Sequence, residues 1–397
     1  MIEAKVRDGP PNAQLITNAR LVEPGTCVST GDLLIENGRI SAFGQSVAEP
    51  PSGASKVDAG GRLLTPGLID VHTHGIEHSI YEMGPEQLVG ACNCLARYGV
   101  TTVLPTTVPQ ISDEYMERLE AVGVALPTIR NVNIPGLHLE GPFLALPGSG
   151  AATIPGDLVL LEELFETCQN RVTAMSISPD TENIIPVIEW LKKREVAIFL
   201  THTRASVEET EAAIEAGARH ATHFYDVFYP PAEKDPGVRP VGVVEAVLAD
   251  ARTTVDFIAD GIHVHPTAIR AAVAAKGFEG VSLITDSNIG AGLPPDVYDT
   301  PSGFRVRIKK GDAPRHETKG VLAGSALTMN RGMENLLGWL DLPPEQVWAM
   351  GTMNPARAAG LGDCGILEVG ARADLVLWDD DLNPNRTWVG GRPVPLI

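Results

Sequence analysis

The sequence predicts an α/β fold: a (β/α)8 TIM barrel with a small β-sandwich domain formed by both chain termini. Three observations carry this. Short β-branched runs alternate with helical patterns through the middle of the chain, which calls for parallel strands joined by crossover helices. Metal-ligating side chains stand at the ends of five of those runs, in residues 68–74, 136–140, 199–202, 221–223 and 283–286. A parallel barrel gathers its strand ends on one rim, where ligands scattered between residues 72 and 286 can meet. Third, strand-and-turn patterns without helices are confined to the two ends of the chain.

From the amino terminus, 14–18 and 32–36 read as strands, Asn37-Gly38 as a tight hairpin turn, and 39–43 as the returning strand. The carboxyl end repeats the pattern in 365–369, 373–378 and 387–389, followed by Gly390-Gly391. The expected domains are therefore 1–62 and 361–397, which assemble the β-sandwich, and 63–360, the barrel. Barrel strands are expected around 67–72, 100–106, 134–140, 171–177, 196–202, 219–224, 253–259 and 281–286. Helices follow most of them, at 85–98, 157–168, 184–194, 207–216, 242–250 and 267–276. Ser206 ahead of Val207-Glu208-Glu209 is a helix-starting hydroxyl before acidic first-turn residues. An open doubly wound sheet is the alternative; against it, no Gly-x-Gly-x-x-Gly follows the first strand. Two Pro/Gly-rich stretches, 230–240 and 290–301, follow strands 6 and 8 and are candidates for shaping a pocket or lid.

With 397 residues, 44% of them hydrophobic, the chain can bury a large core. Its net charge of −19 and pI near 4.9 argue against nucleic acid and anionic membranes as partners, leaving a small molecule. No run of 18 apolar residues occurs, and the first eight residues lack the basic start of a secretory signal, so a soluble cytoplasmic protein is expected. Five cysteines, Cys27, Cys92, Cys94, Cys168 and Cys364, without zinc-finger spacing, suit a reducing compartment.

Side chains alternate faces along a strand, so His72 and His74 point the same way and can share one ion. Together with Glu140, His202, His223 and Asp286 at other strand ends, they call for a hydrolase built around a divalent metal. Mixed imidazole and carboxylate ligands suit zinc, iron, manganese or cobalt, with zinc the default.

Residues 66–75 (Pro-Gly-Leu-Ile-Asp-Val-His-Thr-His-Gly), 138–143 (His-Leu-Glu-Gly-Pro-Phe), 221–226, 258–264 (Ile-Ala-Asp-Gly-Ile-His-Val), Thr285-Asp286, 322–329 and 354–357 together resemble the amidohydrolase superfamily. Within it, the likeness is to the N-acetylglucosamine-6-phosphate deacetylase branch, over residues 15 to 393. The resemblance implies a metal-bearing barrel in which Glu140, His202 and His223 form the principal site. It allows a second ion at His72 and His74, so one or two ions bind. It makes Asp286 the catalytic residue, base and then acid, and His263 a substrate contact that helps polarise the amide carbonyl; Asp260, three residues before His263 in the sequence, is a candidate to orient it. It places Asp226 and Val227 where the family has an Asn-Ala pair at the phosphate. Lys234 falls where the family has an arginine that crosses from a partner subunit, which implies a homodimer. Arg204 and Arg239 are further nearby cations. Ala152 stands where the family has a sugar-holding histidine. The implied reaction is hydrolysis of an N-acetyl amide, that of N-acetylglucosamine 6-phosphate. Three alternatives stay open: a deacylase for another N-acyl amine, with or without phosphate; a hydrolase of cyclic amides or phosphoanhydrides; and a noncatalytic scaffold on the same fold.

Overall fold

The computed structural model describes residues 13–47, 49–148, 151–300 and 303–396. The stretch read for a secretory signal, Gly150 in the strand-3 loop and Pro301 at the end of the second Pro/Gly-rich stretch lie outside the described residues.

Eight parallel strands form the central sheet in sequence order: β1 (Leu68–Thr73), β2 (Val100–Thr107), β3 (Leu137–Glu140), β4 (Val172–Ile177), β5 (Ala197–Leu200), β6 (His220–Ala221), β7 (Thr254–Ile258) and β8 (Val281–Ile284). All eight residues of β2 are buried, as a strand covered on both faces requires. Each strand is followed by a helix: α1 (Pro85–Cys94), α2 (Asp113–Ala125), α3 (Leu158–Thr167), α4 (Ile184–Lys192), α5 (Val207–Ala216), α6 (Val243–Ala249), α7 (Pro266–Lys276) and α8 (Met329–Trp339). The Ser206 start is a reciprocal cap: its hydroxyl accepts from Glu209 N at 3.2 Å while the Glu209 carboxylate accepts from Ser206 N at 2.8 Å.

The ring closes between β8 and β1. Asp286 N donates to His72 O at 2.9 Å and His74 N to Ser287 O at 2.9 Å. Deeper in the seam, the buried Asp70 carboxylate accepts from the Thr285 hydroxyl at 2.6 Å and from Thr285 N at 3.3 Å. A side chain thus replaces ladder bonds where the first and last strands meet.

The termini build a second, mostly antiparallel sheet of eight strands. Its path runs Arg392–Val394, Pro384–Val389, Leu375–Trp378, Leu63–Pro66, Ala13–Glu23, Cys27–Glu36, Arg39–Gly44, with Ser55–Asp58 also paired to Ala13–Glu23. The Asn37-Gly38 hairpin is present, both residues having positive φ, 51° and 78°. The sheet curls on itself: Gln14 donates to Gly391 O at 2.8 Å and accepts from Trp388 Nε1 at 3.0 Å, although their strands are not ladder neighbours. Two details differ from the sequence reading. Leu63–Pro66 belongs to this sheet, so the passage to the barrel falls at Gly67. Residues 365–369 form no strand, because Gly365 turns the chain with φ 73° and only Leu367 is sunk into the sheet's core.

Period-two alternation joins the two units. Leu375 and Leu377 face the core of the terminal sheet, whereas Val376 and Trp378 between and after them enter the barrel's core. Trp378 packs against Trp348 at 5.3 Å between ring centroids and donates Nε1 to Thr65 Oγ1 at 2.8 Å. Truncating such a side chain costs about 3–5 kcal/mol. Among the described residues, no helix is long and apolar enough to cross a membrane.

Candidate metal centre

The site is built by one local device used three times. β5, β6 and β8 each end in an apolar residue and are followed by a threonine and then by a histidine or aspartate of the site: Thr201-His202, Thr222-His223 and Thr285-Asp286. In all three pairs the second residue has left-handed φ, 47° at His202, 35° at His223 and 47° at Asp286. Histidine and aspartate are among the residues that tolerate this region, and the kink turns each side chain over the mouth of the barrel. The threonine hydroxyls then serve neighbouring elements. Thr201 Oγ1 lies 2.9 Å from His223 Nε2, Thr222 Oγ1 lies 2.9 Å from His72 Nδ1, and Thr285 Oγ1 donates to Asp70.

Glu140, the last residue of β3, is at the centre. Its Oε1 is 3.0 Å from His202 Nε2 and 3.1 Å from His223 Nε2; its Oε2 is 3.3 Å from His74 Nε2 and 3.6 Å from His72 Nε2. The carboxylate therefore belongs to two ligand groups, Glu140–His202–His223 and His72–His74–Glu140, each with its ligating atoms within 4.8 Å of one another. Asp286 Oδ1 stands 3.2 Å from His74 Nε2 and 3.6 Å from His72 Nε2. His72 is wholly buried, and its Nε2 has no hydrogen-bond partner although it points at two carboxylates. A ligand nitrogen left without a donor or acceptor in a polar, buried cluster fits a cation between these groups.

The electrostatics agree. Burial opposes charge on His74, yet the Asp286 and Glu140 carboxylates hold its proton well above the usual range. Burial likewise opposes charge on His223, but Glu140 raises it to about 10. Glu140 is held well below the usual carboxylate range by the imidazoles around it, against the cost of its burial. Asp286 is also lowered despite burial, chiefly by His74. A field that keeps protons on imidazoles is one that attracts a divalent cation.

The surrounding residues fix the rings. His220 is not part of the cluster: its Nε2 meets Asp256 Oδ2 at 2.8 Å and its Nδ1 meets Thr254 at 2.6 Å, while Asp256 also accepts from His223 N. His138 lies under His72, its Nδ1 on Val71 O at 2.7 Å and its Nε2 on Ser176 Oγ at 2.6 Å, and burial depresses its pKa well below the usual range. Sequence reasoning missed His138, Asp256 and the three threonines; the threonine–ligand pairs at three strand ends were the available signal.

The substrate-binding candidates divide. His263 Nδ1 meets Asp260 Oδ2 at 2.6 Å and the same carboxylate caps the turn at 2.8 and 2.9 Å, which leaves His263 Nε2 free for another group. Asp226 and Val227 lie in the loop after β6: Asp226 O is 3.2 Å from His223 Nδ1, and Val227 O accepts from Thr203 N. Arg204 and Lys234 are exposed on loops; Arg204 is tied through its backbone N to Asp180 at 3.2 Å. Neither lines the cavity of about 420 Å³ that borders His74. That cavity is covered by a three-stranded insertion after β8, Val297–Asp299, Arg305–Arg307 and Arg315–His316, which comes in part from the second Pro/Gly-rich stretch. His316 stacks on Phe304 there at 5.1 Å, and His78 meets Tyr298 edge-on.

The model of the amidohydrolase family matches residues 63–394. The chain belongs to the amidohydrolase family. Among relatives of this amidohydrolase, the N-acetylglucosamine-6-phosphate deacetylase of Vibrio furnissii is 33% identical over 90% of this chain and 89% of its own length. The N-acetylgalactosamine-6-phosphate deacetylase of Escherichia coli O157:H7 is 30% identical over 88% of this chain and 93% of its own. Among solved structures, a mutant N-acetyl-D-glucosamine-6-phosphate deacetylase of Mycobacterium smegmatis, in complex with N-acetyl-D-glucosamine-6-phosphate, superposes with a TM-score of 0.85 at 27% identity, covering 96% of this chain and 99% of that one. The amidohydrolase is thus a hydrolase whose strand-end histidines and Glu140 could hold metal.

Proposed function

We propose that this amidohydrolase removes the acetyl group from N-acetylglucosamine 6-phosphate, yielding glucosamine 6-phosphate and acetate. The observation that carries the reading is the Glu140 carboxylate shared between two histidine pairs, with the Asp286 carboxylate 3.2 Å from His74 on the same rim. Glu140, His202 and His223 hold the principal ion and His72 and His74, with Glu140, a second; zinc is the first choice, with iron, manganese and cobalt suited by the same donors. A divalent ion there would supply a water pKa near about 7 and polarisation of the amide carbonyl. Asp286 takes the proton from the attacking water and returns one to the departing amine. His263, its Nδ1 fixed by Asp260, presents Nε2 to the carbonyl oxygen. Asp226, Val227, Lys234 and Arg204 make up the side that receives the amine portion. The protein works in the cytoplasm as a homodimer, in keeping with its five free cysteines and with a cation offered by the exposed 230–240 loop.

A second reading, a deacylase of a different N-acyl amine, is favoured by one feature: Asp226 brings a carboxylate to the β6 loop, which repels a phosphate. Acetate release by metal-loaded protein separates them, with N-acetylglucosamine 6-phosphate, its unphosphorylated parent and N-acetylgalactosamine 6-phosphate run together. A kcat/KM above about 10⁴ M⁻¹s⁻¹ on the glucosamine phosphate alone is the expected result. Failure on every acetylated sugar by protein with full metal content refutes the first reading.

A further inference from the structure

A second cavity, of about 430 Å³, lies at the joint between the two units. The terminal sheet contributes the Asn37-Gly38 hairpin, Arg39, Arg372 and the turn at Gly390; the barrel contributes the segment between α2 and β3. That segment leads into the start of β3 and runs beside the start of β2, where Asn133 N donates to Thr101 O at 2.8 Å. Glu140 stands at the other end of β3, so the cavity is at the face of the barrel opposite the metal rim. Two glycine turns touch at its floor. A Cβ on Gly38 would fall 2.8 Å from Gly390 O, and both residues have positive φ, 78° and 53°.

The charge of this cavity runs against that of the chain. Arg39, Arg130, Arg372 and Arg392 line it and no carboxylate does, although the chain carries 50 acidic residues to 31 basic. Two of the four are paired from outside the lining: Arg39 Nη1 with Asp363 at 3.2 Å, and Arg372 Nε with Asp374 at 2.8 Å. Arg130 gives Nη1 to carbonyls of its own loop, Pro127 O and Ile129 O, which anchors the guanidinium without neutralising it. Arg392 has no hydrogen bond or ion pair among the described residues. Two guanidinium charges are therefore uncompensated at one cavity. Guanidinium forks match the oxygens of a phosphate, and a surplus of two charges matches a phosphate monoester, which carries about −1.5 to −2 at pH 7. The volume lies in the small-molecule range of about 300–1,000 Å³, which leaves room for more than a bare ion. Leu126, Ile129, Ile134 and Val389 flank the arginines and give the body of the ester a surface to lie on.

We propose that this arginine-lined cavity binds a phosphate monoester, carried on a sugar or on a nucleoside, and that the bound ester clamps the terminal sheet to the barrel. The site is separate from the metal rim and does not rest on the deacetylase reading. No bond is made or broken in it.

The test is calorimetric titration of the metal-loaded protein with glucose 6-phosphate, AMP and inorganic phosphate. At least one ester is expected to bind, and more tightly than phosphate; a preference for glucose 6-phosphate assigns the sugar, and one for AMP the nucleoside. A hydrogen bond to a charged group is worth about tenfold or more, so Arg130→Ala and Arg392→Ala should each weaken the ester by at least that factor. Lys193→Ala removes the same charge from an exposed position at the end of α4 and should leave the affinity as it is. Acetate release by both arginine variants should match the parent. Saturating ester should raise the thermal midpoint of the parent and not that of the doubly substituted Arg130→Ala, Arg392→Ala protein. Absence of binding by either ester overturns the proposal, as does an affinity unchanged in both arginine variants. An equal loss in Lys193→Ala overturns it in favour of overall charge. Inorganic phosphate binding as tightly as both esters leaves an adventitious ion only. Loss of binding in Arg204→Ala or Lys234→Ala, with none in the cavity variants, puts the ester at the metal rim and also overturns it.

Discussion

Replacing Asp286 by asparagine isolates proton transfer from everything else the residue does. Asp286 has φ 47°, a region in which asparagine is as much at home as aspartate, so the kink at the end of β8 is retained. Its backbone N still donates to His72 O, and the amide oxygen can still sit 3.2 Å from His74 Nε2. What disappears is a carboxylate that accepts a proton. Positioned acid–base groups contribute about 10²–10⁴-fold, so kcat on N-acetylglucosamine 6-phosphate should fall by that factor. At 1.36 kcal/mol for each tenfold, this raises the barrier by about 2.7–5.4 kcal/mol. KM and thermal midpoint should change little. The assay is steady-state release of glucosamine 6-phosphate, with metal content measured on the same sample. A kcat within threefold of the parent would refute the assignment. Loss of metal in proportion to activity would instead make Asp286 a ligand and leave the base elsewhere.

Other consequences follow from the same geometry. Glu140→Gln removes the one carboxylate common to both ligand groups, so metal content measured by mass spectrometry should drop at both sites, whereas His72→Ala should empty only one. In Gly148→Ala the new Cβ falls 1.7 Å from His202 Cε1, which forces the ring or the loop to move. Displacing a ligand through its neighbours costs about 10–100-fold in metal affinity, readable by competition with a chelator. Asp260→Asn tests the His263 pair through pH. Burial opposes charge on His263, but Asp260 raises its pKa above 6.5, so this pair stabilises the fold fully below that value and the contribution fades as pH rises through the raised pKa. The difference in urea midpoint between parent and variant should therefore be larger at pH 6 than at pH 9; an equal difference at both would contradict a charged pair.

The candidate site was legible in the sequence because its residues sit at strand ends, where a short apolar run, an alternation of period two and a change to polar residues are local signals. His72-Thr-His74 and Glu140 needed only the strand period to be placed on the barrel's inner side. The boundary at Leu63 was not legible, since a strand that pairs with Leu375–Trp378 looks no different from one that opens a barrel. The same holds for 365–369, apolar enough for a strand but turned away by Gly365.

By itself, the sequence determined the barrel, the terminal β element and which side chains are candidates to ligate a metal, because each rests on spacing along the chain. Only the tertiary structure decided that Glu140 divides its two oxygens between two histidine pairs, that Thr222 reaches His72 from another strand, and that an insertion after β8 roofs a cavity over His74. Those are contacts between residues separated by 60 to more than 200 positions, set by which strands are neighbours around a closed ring and by left-handed kinks at their ends. Local pattern carries no record of either.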